Sequence, residues 1–172
     1  LVHRGGFGFN EEGKQNAEGN FVGAVKTYHN SGLLQAEGTM NEKGEQVGEW
    51  KFYDKMGRLE LSVNFVDGKM EGSRYTYYNN GAPRQLIPIK DNAIDGNIED
   101  YYSYGVVYSR VAYDINGVKN GKGEYFYSNG QLSALMTFKD GELNGDYQRY
   151  YPDGAKKEQK NFVLGKLDGK YL

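Results

Sequence analysis

Short runs of alternating apolar and polar residues, separated by glycine turns, fill this chain. The stretch 121–145 begins with the aromatic run 125–127, continues through Asn129 and Gly130, and then places an apolar residue at every second position. Alternation with a period of two indicates a half-buried strand. Asn-Gly between two β-prone runs favours a hairpin turn, because both residues tolerate the positive φ that tight turns need. The alternating residues are Leu132, Ala134, Met136 and Phe138.

The same pattern returns every 24 or 25 residues, and each copy opens with a glycine. A constant period of this size marks a repeat architecture. We count positions within a repeat from the opening glycine, which is position 0. A second glycine follows at position 9, where Gly81, for example, is expected to have a positive φ. The opening glycines are Gly23, Gly48, Gly72, Gly96, Gly121, Gly145 and Gly169.

These repeats predict an all-β fold without helices. Each repeat of about 24 residues forms a β-hairpin, and successive hairpins form an elongated antiparallel meander in a single twisted or curled sheet. Residues 1–18 are expected to be a degenerate N-terminal cap, and residues 19–172 an array of about six to seven repeats in one domain. Pro83 and Pro88 fall within a strand segment, which predicts an edge, a bulge or a break there, because proline cannot donate to a ladder.

The alternation also predicts which face is buried. If the hairpin loop occupies positions 7–9, position 5 lies opposite position 11 and shares the buried face with positions 13, 15 and 17. Position 3 would then be buried too, yet it is often charged, as at Lys26 and Lys51. Either a bulge reverses the alternation near the strand start, or both faces are partly covered. The aromatic residues at position 5 are Tyr28, Tyr53, Tyr77, Tyr101, Phe126 and Tyr150.

A second set of aromatic residues is expected on the opposite, exposed face. Tyrosines recur at position 6, and further aromatic residues at positions 2 and 4 would join them. Contiguous exposed aromatic surface indicates an interaction site, since these rings offer large, rigid contact area. Aromatic residues are also favoured in strands for packing alone, which is the alternative interpretation. The candidate binding residues are Trp50, Phe52, Tyr78, Tyr102, Tyr125, Tyr127, Tyr147 and Tyr151.

Composition narrows the chemistry. The chain has 21 basic and 23 acidic residues, two histidines and no cysteine. This balance gives no reason to expect nucleic-acid binding, and these residue types offer little for a zinc site or a Ser-His-Asp triad. The recurring Asp-Gly turns lack the nine-residue period of calcium-binding β-rolls. We therefore expect no catalytic residues, no metal and no cofactor.

Neither an apolar run long enough to span a membrane nor a signal peptide is visible in the sequence. The chain opens at Leu1 and not at a methionine, which suggests a trimmed or mature product. Cell-envelope, secreted and cytoplasmic locations all remain open.

The pattern G-x4-aromatic-x3-G, followed by an alternating strand and by D-G-x3-G, resembles the variant MORN repeat of many bacterial proteins. The resemblance covers roughly residues 19–172. It departs from the eukaryotic MORN consensus, because Trp50 is the single tryptophan and no His-Gly turn recurs. The resemblance implies an array of β-hairpins used for protein–protein contact, and in some members for membrane association. Some bacterial relatives bear the name of antitoxins from toxin–antitoxin systems.

The leading functional hypothesis is a non-enzymatic repeat scaffold that contacts a protein partner through the extended aromatic surface. A carbohydrate, cell-wall or cell-surface binding module is the alternative, because a row of tyrosines can stack on sugar faces. An antitoxin-like partner binder is a narrower form of the first hypothesis. An enzyme ranks third.

Overall fold

The computed structural model describes residues 2–6 and 9–169, with side chains from residue 10 onward. Leu1 and residues 7–8 of the expected cap, and residues 170–172 of the expected array, lie outside the described residues. The described part of the chain contains strands and turns but no helix. The strands are β1 (Val2–Gly6), β2 (Phe9–Gln15), β3 (Phe21–Tyr28), β4 (Leu34–Met40), β5 (Gln46–Tyr53), β6 (Leu59–Val66), β7 (Lys69–Tyr77), β8 (Pro83–Lys90), β9 (Ala93–Ile94), β10 (Gly96–Tyr101), β11 (Val107–Tyr113), β12 (Lys119–Phe126), β13 (Leu132–Lys139), β14 (Glu142–Tyr150), β15 (Lys156–Val163) and β16 (Lys166–Asp168).

Within the described residues these strands form one antiparallel sheet in meander order, with β9 paired to β8 beside that path. The all-β meander expected from the sequence is confirmed. The turns follow the predicted chemistry, and Gly81 has a φ of 83°. The curl of the sheet stays a prediction.

Two compact units divide the chain. Unit 1 comprises residues 1–82 and 89–92, and unit 2 comprises residues 83–88 and 93–172. The segment expected to be a cap belongs to unit 1, and its strands β1 and β2 pair antiparallel. Each unit is described separately below.

In five of the hairpins, a bulge near the turn decides which side chains share a face. In the hairpin β5–β6, Phe52 lies opposite Leu61, but the next residue, Tyr53, lies opposite Leu59. Glu60 is therefore an extra residue, and it interrupts the alternation of the strand. Equivalent shifts fall between Thr27 and Tyr28, Asp100 and Tyr101, Tyr125 and Phe126, and Arg149 and Tyr150.

Because of this bulge, the expected placement of position 5 is wrong. Positions 2 and 4 lie opposite positions 15 and 13, so these four positions share the face that we call the core face. Position 5 lies on the opposite face. Of the two explanations left open by the charged residues at position 3, a bulge near the strand start is present as well, because the register of β4 with β5 shifts between Glu37 and Thr39. The other face is partly covered as well, since Ser62 at position 14 is only 3% exposed.

The core of unit 1 lies on the core face. Trp50 and its cross-strand partner Val63 are each 3% exposed and cluster with Val25 and Ala36. The indole Nε1 donates a hydrogen bond of 3.1 Å to the Thr39 carbonyl oxygen, which satisfies its one polar atom. Partly buried side chains pack around this cluster: Phe21, Met40, Phe52, Phe65 and Met70.

The core of unit 2 repeats this arrangement with smaller side chains. Ile98 at position 2 lies opposite Val111 at position 15, and both are buried. In the next hairpin, β12–β13, the side chains of Ala134 and Phe138 are buried on the same face. Among the described residues, no large side chain in either unit is completely shielded from solvent. A single layer of strands leaves its core side chains covered mainly by one another.

Tyrosine hydroxyl groups tie neighbouring strands together on the opposite face. The Tyr53 hydroxyl donates a hydrogen bond of 2.7 Å to Glu37, and Tyr28 donates an equivalent bond of 2.7 Å to Glu12. Burial and the Glu37 carboxylate together raise the pKa of Tyr53 to about 12. The tyrosines at position 5 therefore stabilise the face that the sequence pattern led us to expect as exposed.

The proline segment lies in unit 2. The strand β8 occupies an internal place in the strand order, so the expected edge is wrong. Its ladder with β10 has two residue pairs, Leu86 with Glu99 and Gln85 with Asp100. The Pro88 carbonyl oxygen accepts a hydrogen bond from the Asp95 backbone N–H instead of from a ladder partner. This short ladder agrees with the predicted break.

Gly38 shows how tightly the core face is packed. Its backbone lies directly beneath the indole ring of Trp50, and a Cβ atom at this position would overlap the ring. We expect Gly38→Ala to destabilise the protein by about 1–3 kcal/mol, because an extra methyl group forces a large ring to move. Thermal unfolding followed by Trp50 fluorescence measures the change.

The matched control is Thr39→Ala. Thr39 is the next residue of β4, and its side chain is exposed. It should change the free energy of unfolding by no more than about 0.5 kcal/mol. Equal stability of Gly38→Ala and the unmodified protein would contradict the close packing of Trp50 over β4.

The raised pKa of Tyr53 gives a pH-dependent prediction. Folding favours the protonated phenol, so its contribution to stability is fully present below the unfolded pKa near 10. It is lost as the pH rises from about 10 to the folded value of about 12. Tyr53→Phe should therefore flatten the fall in the free energy of unfolding across this range, as measured by urea unfolding at several pH values.

Tyr113→Phe serves as the comparison, because the Tyr113 hydroxyl makes no hydrogen bond to a described residue. If both variants keep the same slope between pH 10 and 12, the bond from Tyr53 to Glu37 does not form in solution.

Candidate functional site

Position 6 side chains connect consecutive repeats. The Tyr102 hydroxyl donates a hydrogen bond of 3.0 Å to the Phe126 carbonyl oxygen, and the Tyr127 hydroxyl donates one of 2.7 Å to the Tyr150 carbonyl oxygen. In each case the acceptor is position 5 of the next repeat. His29, also at position 6, contacts the Tyr53 carbonyl oxygen through Nε2 at 2.9 Å. These side chains therefore have a structural role between repeats.

Another predicted residue at position 6, Tyr151, has a different environment. Tyr151 is 47% exposed, and the ammonium group of Lys157 lies 5.3 Å from the centre of its ring. Tyr78 is half-buried in unit 1. Position 6 of the second repeat is Asp54, whose carboxylate instead accepts backbone hydrogen bonds from Met56 and Arg58 within its own turn.

The aromatic residues predicted at positions 2 and 4 lie on the core face. Trp50 is buried, so its expected exposed position is wrong, and the bulge is the reason. Phe52 is half-buried with its ring centre 6.2 Å from that of Trp50. Tyr147 is half-buried in an edge-to-face contact with Phe162, at 5.6 Å between ring centres. Whether any of these residues binds a partner stays a prediction.

Four tyrosines of unit 2 form a contiguous group, which we call the tyrosine cluster: Tyr102, Tyr104, Tyr108 and Tyr125. The rings of Tyr102 and Tyr104 stack with 5.4 Å between centres and 8° between planes. Tyr108 meets the edge of Tyr102 at 5.3 Å and of Tyr125 at 6.4 Å. Tyr104 is 58% exposed and Tyr108 45% exposed, so the cluster presents aromatic surface to solvent.

The local fold holds these rings in place. Tyr108 is the extra residue of the bulge in the hairpin β10–β11, which directs it towards Tyr125 on the adjacent strand β12. Tyr104 lies in the hairpin turn, and its hydroxyl donates a hydrogen bond of 3.2 Å to the Ser128 carbonyl oxygen in the next turn. Ring contacts and hydroxyl hydrogen bonds thus restrict the rotamers of these tyrosines in the unbound chain.

Burial and neighbouring phenols change the acidity of this cluster. The pKa of Tyr102 is raised, first by burial and then by the nearby Tyr104 and Tyr108. Burial also raises the pKa of Tyr125. Both groups therefore stay neutral hydrogen-bond donors and acceptors at physiological pH, and the cluster offers flat apolar rings with hydroxyl groups at their rims.

The sequence analysis found Tyr102 and Tyr125 but missed Tyr104 and Tyr108. A signal for both was present. Position 8 is otherwise Ser31, Met56, Asn80, Asn129 or Asp153, and position 12 is otherwise Gln35, Glu60, Arg84, Ser133 or Lys157. A tyrosine at each of these mostly polar positions, within a single repeat, is a departure from the repeat pattern.

Other kinds of site have little support within residues 2–6 and 9–169. No group of three or more His, Cys, Asp or Glu side chains there is arranged to hold a metal ion. No helix capable of crossing a membrane occurs in that part of the chain.

Comparison with known families supports the repeat assignment in part. Residues 119–140 and 143–163 match the family described as MORN repeat variant. These segments correspond to the hairpins β12–β13 and β14–β15, so the expected resemblance is confirmed over residues 119–163. No curated protein sequence matches the chain.

A crystal structure of a GtfA/B complex bound to UDP and GlcNAc is among the similar solved structures. It shares 11% sequence identity with this chain at a TM-score of 0.25, and the match covers 89% of this chain and 24% of that chain. This chain therefore spans about a quarter of the length of that chain. At this TM-score the likeness supports no conclusion about function.

The contacts at position 6 lead to a stability prediction. Tyr127→Phe removes the hydroxyl that satisfies the Tyr150 carbonyl oxygen, and it should destabilise the protein by about 0.5–1.5 kcal/mol in urea unfolding. The control is Tyr151→Phe at the same repeat position, because the Tyr151 hydroxyl makes no hydrogen bond to a described residue. Equal losses in the two variants would show that the bond between repeats contributes nothing to stability.

Proposed function

We propose that this chain is a non-enzymatic repeat scaffold that binds another protein through the tyrosine cluster. The observation that carries the proposal is the contact among four tyrosine rings, two of which expose about half of their surface. Tyrosine is enriched at protein interfaces because its rigid ring gives much contact area at a small entropy cost. Prepositioned rings reduce that cost further.

The rest of the described surface gives less reason to expect catalysis. The acidic and basic groups with shifted pKa values lie in ion pairs or turns, as in the Glu99–Arg110 pair at 2.6 Å and the Asp54–Arg58 pair at 2.7 Å. Such pairs lower the pKa of the acid and are common between neighbouring strands and within turns. The MORN repeat variants in residues 119–163 also favour a binding role over an enzymatic one.

A glycan is the alternative ligand, because the exposed ring of Tyr104 could also stack on a sugar. An antitoxin-like function would be a special case in which the protein partner is a toxin.

The test compares the unmodified chain with the double variant Tyr104→Ala and Tyr108→Ala. Proteins captured by the first but not by the second are identified, purified and titrated by calorimetry. We expect the double variant to bind the purified partner at least about tenfold more weakly, since buried tyrosines at interfaces often contribute more than about 1.4 kcal/mol.

Ile115→Ala is the control, because Ile115 is a 70% exposed apolar residue in a turn of the same unit. It should leave the affinity unchanged. Equal affinity of the double variant for every captured partner would contradict the proposal. Loss of binding to a glycan array, without loss of any protein partner, would assign the cluster to carbohydrate recognition instead.

A further inference from the structure

A groove lies on the core face of unit 1. Its volume is about 390 Å³, which is within the range of small-molecule sites. Its floor is a row across three strands: Phe52 on β5, Leu61 on β6 and Thr76 on β7. These residues are cross-strand partners, so the row is held by the ladder itself.

Two opposite charges border this floor. Arg74 lines the groove from β7 and is half-buried, and Glu60 lines it from the bulge of β6. Neither side chain forms an ion pair or a hydrogen bond with any described residue. Four other basic side chains of unit 1, Lys26, Lys51, Arg58 and Lys69, each pair with a carboxylate. A guanidinium group is more weakly hydrated than an ammonium group and presents a planar fork of donors, so it favours an anionic ligand that can accept two hydrogen bonds.

The register places the two charges on opposite sides of the floor. Arg74 lies opposite Val63, whereas Glu60 precedes Leu61 on the side of the hairpin turn. Val63 and Glu60 are three residues apart, which is at most roughly 10 Å along a strand, because the bulge at Glu60 interrupts the regular spacing. Both residues line the groove, and both side chains are flexible. The two ends of an extended dipeptide are about 7 Å apart.

We propose that this groove binds a short zwitterionic peptide. Its carboxylate pairs with Arg74, its ammonium group pairs with Glu60, and an apolar side chain lies against Phe52 and Leu61. The amide of Gln35, which also lines the groove, is available to a peptide N–H or carbonyl group. The proposal does not depend on the tyrosine cluster, which belongs to the other unit.

Calorimetry with three probes tests the charge pattern. The probes are the dipeptide Ala-Phe, its C-terminal amide and its N-acetyl derivative. We expect Ala-Phe to bind, and each blocked form to bind at least about tenfold more weakly, because each has lost one charge-assisted contact.

Two variants assign each charge to its residue. Arg74→Gln should weaken Ala-Phe binding and also remove the difference between the free carboxylate and the amide. Glu60→Gln should weaken Ala-Phe binding and remove the difference in affinity between Ala-Phe and its N-acetyl derivative. This coupling separates a direct contact from a general disturbance of the groove. Thermal unfolding should be almost unchanged in both variants, because neither side chain has a described partner.

Arg149→Gln is the control, since Arg149 is an exposed arginine at position 4 in unit 2 and pairs with Glu158. It should bind Ala-Phe like the unmodified chain, and so should the Tyr104→Ala, Tyr108→Ala double variant. The proposal is overturned if Ala-Phe fails to bind at millimolar concentration. It is equally overturned if blocking the carboxylate has no effect, or if Arg74→Gln leaves the preference for a free carboxylate intact.

Discussion

A sheet with no second layer has to cover its apolar side chains with one another, and this constraint governs both units. Trp50 is shielded by the backbone of Gly38 beneath its ring and by Val25, Ala36 and Val63 around it. No single hairpin could supply these contacts, because they come from four successive strands. Two-stranded hairpins are marginal by themselves for the same reason. Stability therefore rises from contacts between neighbouring repeats, as in other repeat proteins.

The extra residue at each bulge has consequences well beyond its own turn. It moves position 5 to the face opposite the core, where the hydroxyl groups of Tyr28 and Tyr53 reach the carboxylates of the preceding hairpin. It also leaves position 12 on the core face near the turn. In unit 2 that position is Tyr108 in one repeat and Arg84, Ser133 or Lys157 in the others, and in unit 1 it is Gln35 or Glu60. One irregularity thus stabilises one face and creates a variable row on the other.

The two surfaces for which we propose ligands, one in each unit, are built from the same repeat positions. In both units, position 6, position 12 and position 4 of the next repeat meet near the hairpin turn. The combination Tyr102, Tyr108 and Tyr125 gives an aromatic cluster. The combinations in unit 1 include Gln35 with Phe52 and Glu60 with Thr76, and they line a groove with polar walls. Positions 4 and 12 differ from one repeat to the next, whereas position 6 also joins consecutive repeats where it is Tyr102 or Tyr127.

The sequence alone determined the features that depend on local backbone geometry. The period of the glycines predicted the hairpins and their turns, because a positive φ at a residue such as Gly81 is a property of a few neighbouring residues. The alternation of Leu132, Ala134, Met136 and Phe138 likewise predicted β13, since a strand places every second side chain on one face. The fold class follows from these local signals repeated along the chain.

The tertiary structure decided which face is buried and which tyrosines meet. Counting residues assumes unbroken alternation, so a bulge of one residue was enough to move Trp50 from the expected exposed face into the core. The contacts of Tyr108 with Tyr102 and Tyr125 depend on that bulge and on the register of β10, β11 and β12. Register is set by pairing across strands, and a pattern read along a single strand contains no information about it.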